Sequence, residues 1–258
     1  MKTAFFAFAF VVALNLSAVA ANSKKPSPSV HRAGNDAITV PHSDGRQVTT
    51  PPPDCSPCLF YGGDLDTASP NAAGMSDENT LLISGGSTTY GSVIIPEGVT
   101  AQVFGILFNV QASAAFDPLT ATYDIRTGVS EGNGGTSIAS GSGSVLVQPS
   151  GNVFLGLTEY SVTVSWTTPV TLTPGQYWFN VEPQCLNTLD GSCSVFRQFV
   201  SNTTSLANGV HASWQPLHEM FLNSAFFGFT WANWCDSDLG FNSQQCAAMS
   251  FGLRGTEK

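Results

Sequence analysis

Charge is what this 258-residue chain has least of: charged residues make up 10% of it, against roughly 25% in ordinary soluble domains. So few charges exclude an acidic disordered tail, a coiled coil or a long solvent-exposed helix, each of which needs many of them. Basic residues are the scarcer sign, nine against eighteen acidic, for a net charge of −9. No basic patch offsets that field, so nucleic acid is not an expected partner. No stretch carries apolar residues at helical spacing, and there is no internal repeat. No second apolar run follows the one at the N-terminus, so no membrane span is expected. There is no G-x-S-x-G elbow for a serine nucleophile, and no second C-x-x-C to complete a zinc site. The glycine-rich Gly132-Asn133-Gly134-Gly135 has no Lys-Ser/Thr ending and no helix after it, so it reads as a turn, not a phosphate loop.

What is present divides the chain into three. Lys2, the apolar run Ala4 to Leu14 and the small residues Ser17 to Ala21 have the order of a secretory signal peptide over 1–21. Cleavage after Ala20 or Ala21 is expected. Residues 22–54 hold Pro26, Pro28, Pro41 and the triplet Pro51-Pro52-Pro53 with few apolar side chains. They cannot bury enough apolar surface to offset ordering entropy, so a disordered Pro-rich linker is expected there. Residues 55–258 carry four bases (Arg126, Arg197, Arg254, Lys258) against fifteen acids, a net of −11. That length suits one all-β domain.

Period-two alternation runs through 55–258. Tyr160, Val162, Val164 and Trp166 alternate with Ser161, Thr163 and Ser165, and Tyr177, Phe179 and Val181 alternate with Trp178, Asn180 and Glu182. Thr120 to Arg126 shows the same pattern. Each predicts a half-buried strand, while the continuous apolar run Val103 to Val110 predicts a central one. Turns are expected at Pro96-Glu97-Gly98, Glu131 to Gly135, Pro149-Ser150-Gly151 and Pro174-Gly175. Ser140-Gly141-Ser142-Gly143-Ser144 reads as a loop between strands. About ten short strands of this kind predict a single-domain β-sandwich, jelly-roll-like.

Six cysteines in an exported chain imply disulfides, with fifteen possible connectivities. Clustering favours three local closures: Cys55–Cys58, Cys185–Cys193 and Cys235–Cys246. The Cys55-Ser-Pro-Cys58 motif follows a proline triplet and precedes the strand-like Leu59-Phe60-Tyr61. A redox C-x-x-C opens a helix after a strand, so a structural staple is the expected use here.

Candidate chemistry lies in two places. Asp64 and Asp66, spaced to share one side of a strand, are followed by Asp77 and Glu78. These oxygens suit calcium held from loops, or, as an alternative, a glycosidase carboxylate pair drawn from Asp64 and Asp77. No other cofactor is expected. The second place is aromatic: Trp214, Trp231 and Trp234 fall in the last third with Phe221, Phe226, Phe227 and Phe229. Phe227 and Phe229 are expected to point inward. Trp231 and Trp234, beside Cys235, are expected to form an exposed platform for stacking on sugar rings.

Three stretches carry a resemblance to known proteins: Tyr61-Gly62-Gly63-Asp64; Tyr123-Asp124-Ile125-Arg126 through Gly128-Val129-Ser130 to Gly132-Asn133-Gly134-Gly135-Thr136; and Leu172-Thr173-Pro174-Gly175-Gln176-Tyr177-Trp178. In these the chain resembles exported bacterial β-sandwich proteins, relatives of those with a Pro-Glu-Pro C-terminal sorting segment, which this sequence lacks. The resemblance implies a jelly-roll-like domain and an extracellular location, with no catalytic residues to carry over. The expectation is a secreted, non-catalytic β-sandwich that binds an extracellular ligand such as glycan or serves the cell surface or matrix. A glycan-active hydrolase and a purely structural extracellular protein are the alternatives.

Overall fold

The structure, a computed structural model, describes residues 55–65, 74–77, 79–80, 86–112, 116, 118–154, 156–185, 198–203, 209–216, 220–233 and 248–258. The expected signal peptide and linker lie outside them. The strands are β1 (Cys58–Tyr61), β2 (Gly74–Ser76), β3 (Asn79–Thr80), β4 (Thr88–Ile95), β5 (Ala101–Ala112), β6 (Thr120–Thr127) and β7 (Thr136–Phe154). They continue with β8 (Leu157–Leu172), β9 (Gly175–Cys185), β10 (Gln198–Thr203), β11 (Phe221–Ser224), β12 (Phe229–Asn233), β13 (Ala248–Met249) and β14 (Phe251–Glu257). Among the described residues helix is confined to a short 3-10 turn at Ala212–Trp214 and to Cys55, also in 3-10 conformation. The fold is all-β, as the alternation predicts.

One sheet runs in the order β1-β14-β5-β8-β7-β6-β9-β4-β11-β12 and curls into two layers. Strand β7 makes the corner. Its first half, Thr136 to Ser144, pairs antiparallel with β6, and from Val145 onward it pairs with β8. The Ser140–Ser144 segment is therefore strand and not the loop its composition suggests. Small side chains suit a strand that bends as it passes from one layer to the other. Pro149-Ser150-Gly151 likewise lies inside β7, where the register with β8 shifts between Pro149 and Val153. Buried Glu159 fastens this irregularity: its Oε2 accepts from Ser150 Oγ and Asn152 Nδ2, both at 2.7 Å.

The two layers meet around Phe251. Its ring lies 5.1 Å from Phe60, 5.6 Å from Phe108 and 5.9 Å from Phe179, between centroids. Phe60 and Phe108 belong to the β1-β14-β5-β8 layer and Phe179 to the β6-β9-β4 layer, so one side chain joins both. Val93, Ile95, Ile106, Ile125, Val164 and Leu172 are buried in the same cluster. The strand expected to be central, β5, is covered on both faces: Ile106 and Phe108 face the core, while Leu107 and Asn109 are buried on the other side.

Cys55 and Cys58 form a disulfide at the start of β1. This is the staple anticipated from the motif, and it packs with Tyr61 and Leu107. The Cys185 side chain, Cys193, Cys235 and Cys246 lie outside the described residues, so the other two pairings do as well.

Replacing Phe251 with alanine removes the ring that both layers share. Truncating a buried phenylalanine costs about 3–5 kcal/mol, and chemical denaturation of Phe251→Ala is expected to show a loss in that range with the β-type circular dichroism spectrum retained.

Candidate functional site

Every backbone N–H and C=O on a strand edge needs a partner, and the edge of β9 obtains its partners in an unusual way. β4 pairs with β9 from Ile95–Gly175 to Gly91–Phe179. Further along, β3 lies parallel to β9 at Gln184 and Cys185. Between these two pairings, among the described residues, β4 has left the edge and β3 has not yet joined it. Asp77 fills the fork. Its Oδ1 accepts from the Thr89 backbone N–H at 2.8 Å and from Asn180 Nδ2 at 2.7 Å. Asn180 Nδ2 also donates to the Thr89 carbonyl at 2.9 Å, so the N–H and the C=O of Thr89 are each bonded by a side chain. Gln198 Nε2 donates to the carbonyls of Asp77 and Pro183, both at 3.0 Å. All three side chains are buried.

The splayed strands leave a groove of about 450 Å³, lined by Gly86, Thr88, Glu182, Asn223, Ala225, Phe229 and Thr230. Thr88 sits next to Thr89 on β4, and Glu182 next to Pro183 on β9, so the groove lies beside the fork. Its far wall is the β11–β12 hairpin, which β11 joins to β4 through Asn223–Thr88. One carboxylate, one amide, two hydroxyls and a phenyl ring face the same space. At the tip of that hairpin Phe226 and Phe227 are exposed and meet edge to face, 4.9 Å apart. The inward direction expected of Phe227 is thus corrected: the turn at Ala225–Gly228 carries it out of the sheet. Phe229 is partly buried against the core.

Beside the groove, on the same layer, Tyr90, Asp124, Arg126 and Trp231 form a second cluster. Asp124 Oδ2 accepts from the Tyr90 hydroxyl at 3.0 Å and from Arg126 Nη1 at 2.6 Å, and its Oδ1 accepts from Ser137. Trp231 lies 4.8 Å from the Tyr90 ring, and the Arg126 guanidinium stands 5.0 Å over the indole. The indole packs so closely on the Gly134 backbone that a Cβ there would come within 2.4 Å of it, which is why the Gly132–Gly135 turn is bare of side chains at this point. The backbone of Trp231 is left-handed, with φ of 48°. That is a costly conformation for a bulky residue, held in place by the packing around the ring.

Trp231 is therefore not the exposed platform its loop-like sequence suggests. It is a partly buried ring packed against Tyr90, Trp178, Val129 and Phe221. Trp214 is also partly buried against the core and stacks on His211 at 4.3 Å. Trp234 lies outside the described residues. Of the carboxylates, Asp64 accepts a hydrogen bond from the Tyr61 hydroxyl. That hydroxyl also accepts from Asn109 Nδ2 at 2.8 Å. Asn109 Nδ2 reaches Ser250 Oγ at 2.7 Å, which donates to the Gly63 carbonyl at 2.6 Å. The Tyr-Gly-Gly-Asp stretch is thus a buried polar anchor on the first layer. Asp64 and Asp77 are held by different partners, and Asp66 and Glu78 lie outside the described residues. Among the described residues no three His, Cys, Asp or Glu side chains gather to hold a metal ion.

The groove was not among the expected sites. Glu182 and Phe229 belong to separate strands, and only the departure of β4 from β9 brings them to one space. An Asp between two very short strands, Gly74–Ser76 and Asn79–Thr80, is the local trace of it.

Burial raises the Tyr61 phenol well above its usual range, helped by the charge of Asp64; burial likewise raises Tyr90, helped by Asp124. Both remain protonated in the folded chain when the unfolded chain ionises near pH 10, so the folded state holds more protons above that pH. Their contribution is complete below pH 10 and is lost as pH rises beyond it, by about 1.4 kcal/mol per pH unit for each phenol. Denaturation midpoints between pH 9 and 11.5 should fall accordingly, and Tyr90→Phe should reduce that slope. Comparison with protein-family models, with curated proteins and with solved structures finds no match.

Proposed function

We propose that this chain is an exported, non-catalytic β-sandwich that binds an extracellular glycan in the groove between β4, β9 and the β11–β12 hairpin. The observation that carries this reading is the groove's lining. Glu182, Asn223, Thr88 and Thr230 supply hydrogen-bonding groups to one space in which Phe229 offers a ring. Sugars present the matching pair of surfaces, hydroxyls around the rim and an apolar C–H face. The lining belongs to strands that are paired or clamped, so little ordering cost accompanies binding. Trp231, packed beside the groove, serves by holding the Gly132–Gly135 turn and the start of β12 in place.

A structural role at the cell surface is the second reading. It is favoured by the exposed Phe226–Phe227 tip on the hairpin that ends the strand path, since apolar tips and free edges are where other chains attach. The glycan-active hydrolase gains no support from the partners of Asp64 and Asp77, each of which is bonded within the fold.

A glycan array probed with the purified chain, with and without calcium, identifies a ligand. Glu182→Gln and Phe229→Leu are then compared with the parent by calorimetry. Loss of one charged hydrogen bond is expected to weaken binding at least about tenfold in Glu182→Gln, with the β-type circular dichroism spectrum retained. A hit whose affinity is unaltered in both variants would place the site elsewhere, and an array without hits would favour the structural reading.

A further inference from the structure

A second groove lies on the other layer, on the outer face of β14, β5, β8 and β7. It also measures about 450 Å³, and its lining is Ser56, Ser144, Val145, Leu146, Thr163, Ser165 and Arg254. Register explains how these residues come together. Ser144 precedes Val145, which pairs with Val164 beside Ser165, Ser165 pairs with Gly105, and Gly105 pairs with Arg254. Four strands thus place serine, serine, glycine and arginine in one row.

Gly105 is what lets the row work as a floor. A Cβ at this position would stand 3.2 Å from Arg254 Cδ, 3.1 Å from Ser165 Oγ and 3.0 Å from the Val164 carbonyl. With no side chain there, Arg254 lies across β5 and reaches β8. Its Nη1 donates to Ser165 Oγ at 2.7 Å, and its Nε and Nη2 donate to the Ser56 carbonyl at 3.1 and 2.8 Å. The guanidinium is thereby fixed at both ends. Of its five N–H donors these bonds use three, and two remain. The ion pairs among the described residues are Arg126 with Asp124 and His211 with Glu257, so no described carboxylate neutralises Arg254. Around it stand the hydroxyls of Ser144 and Ser165, with Thr163 in the lining, and Leu146, half exposed at 50%, forms an apolar lip.

We infer that this groove is an oxyanion site, taking a carboxylate or sulfate group such as those carried by acidic sugars, with Arg254 as the positioned cation and the serine hydroxyls as additional donors. A guanidinium held in plane with donors to spare matches an oxyanion by charge and by geometry at once. Pre-positioning by Ser56 and Ser165 removes the rotamer cost that a free arginine incurs on binding. The acidic domain around it opposes anions at long range, so the contact is selective rather than tight: inorganic sulfate alone is expected to bind in the millimolar range. The site does not depend on the β4–β9 groove, which carries a carboxylate and no cation among its lining residues.

The test is an NMR titration of the purified chain with sodium sulfate and, separately, with sodium glucuronate, using sodium chloride at matched ionic strength as the control. Sulfate and glucuronate should each produce saturable shifts at the Arg254 Nε–H and at the Ser144 and Ser165 amides, and chloride should not. The ratio of the two affinities reports whether a sulfate or a carboxylate is preferred. Arg254→Lys keeps the charge and loses the fork, and is expected to weaken binding at least tenfold. Because Arg254 also holds the Ser56 segment, Ser144→Asp is the companion variant: Ser144 is exposed, so the fold and melting temperature are retained while the added carboxylate abolishes the shifts. Absence of saturable shifts in the parent, or shifts in Ser144→Asp equal to the parent's, would overturn the proposal and leave Arg254 as a structural latch for Ser56.

Discussion

Asp77 resolves the one place where the sheet cannot satisfy itself. β4 stops pairing with β9 after Gly91–Phe179, and β3 takes up the edge only at Gln184. Without the Asp77 carboxylate and the Asn180 amide, the Thr89 N–H and C=O would lose these hydrogen bonds, at about 1–3 kcal/mol for each buried group left unsatisfied. The carboxylate of Asp77 and the amide of Asn180 stand in for the missing strand. This allows β4 to diverge without loss of hydrogen bonding, and the divergence opens the groove over Thr88 and Glu182. The groove is therefore a consequence of how a β-sheet edge is passed from one strand to another.

The two layers use different means to the same end. The second layer makes its concavity by splaying two strands and clamping the fork. The first makes its own by removing a side chain at Gly105, so that Arg254 lies across a strand. In both, the floor is backbone or buried polar side chain, and the groups that face solvent are projected from paired strands. The Phe251 hub keeps the layers in register, so neither groove depends on the conformation of a long loop.

Much of the architecture was legible in the sequence. Alternation at Thr120–Arg126 and Tyr177–Glu182, and the unbroken apolar run at Val103–Val110, report burial directly, because a strand's faces alternate with period two. The Cys55–Cys58 staple was legible because the following residues read as a strand. Two segments misled for one reason: Ser140–Ser144 and Pro149–Gly151 have loop composition, yet β7 uses them to turn a corner and to form an irregularity tied by Glu159. Composition cannot distinguish a bend within a strand from a break between strands. Trp231 misled differently, since its burial comes from Tyr90, Arg126 and Gly134, residues about 100 to 140 positions away. Asp64 and Asp77, which read as calcium ligands or a carboxylate pair, are bonded within the fold. Glu182 and Arg254 carried no local mark at all, because register alone gives them their neighbours.

The central claim is that Asp77 replaces a strand at the β4–β9 fork, and amide hydrogen exchange at Thr89 tests it most directly. A Thr89 N–H bonded to a buried carboxylate opens only with the sheet, so its protection should equal that of the ladder amides of β4 and β9 around Gly91 and Phe179. In Asp77→Ala that protection should fall while the Phe251 hub stays protected. Exchange at Thr89 that is fast in the parent chain, with its neighbours slow, would contradict the clamp and the account of the groove built on it.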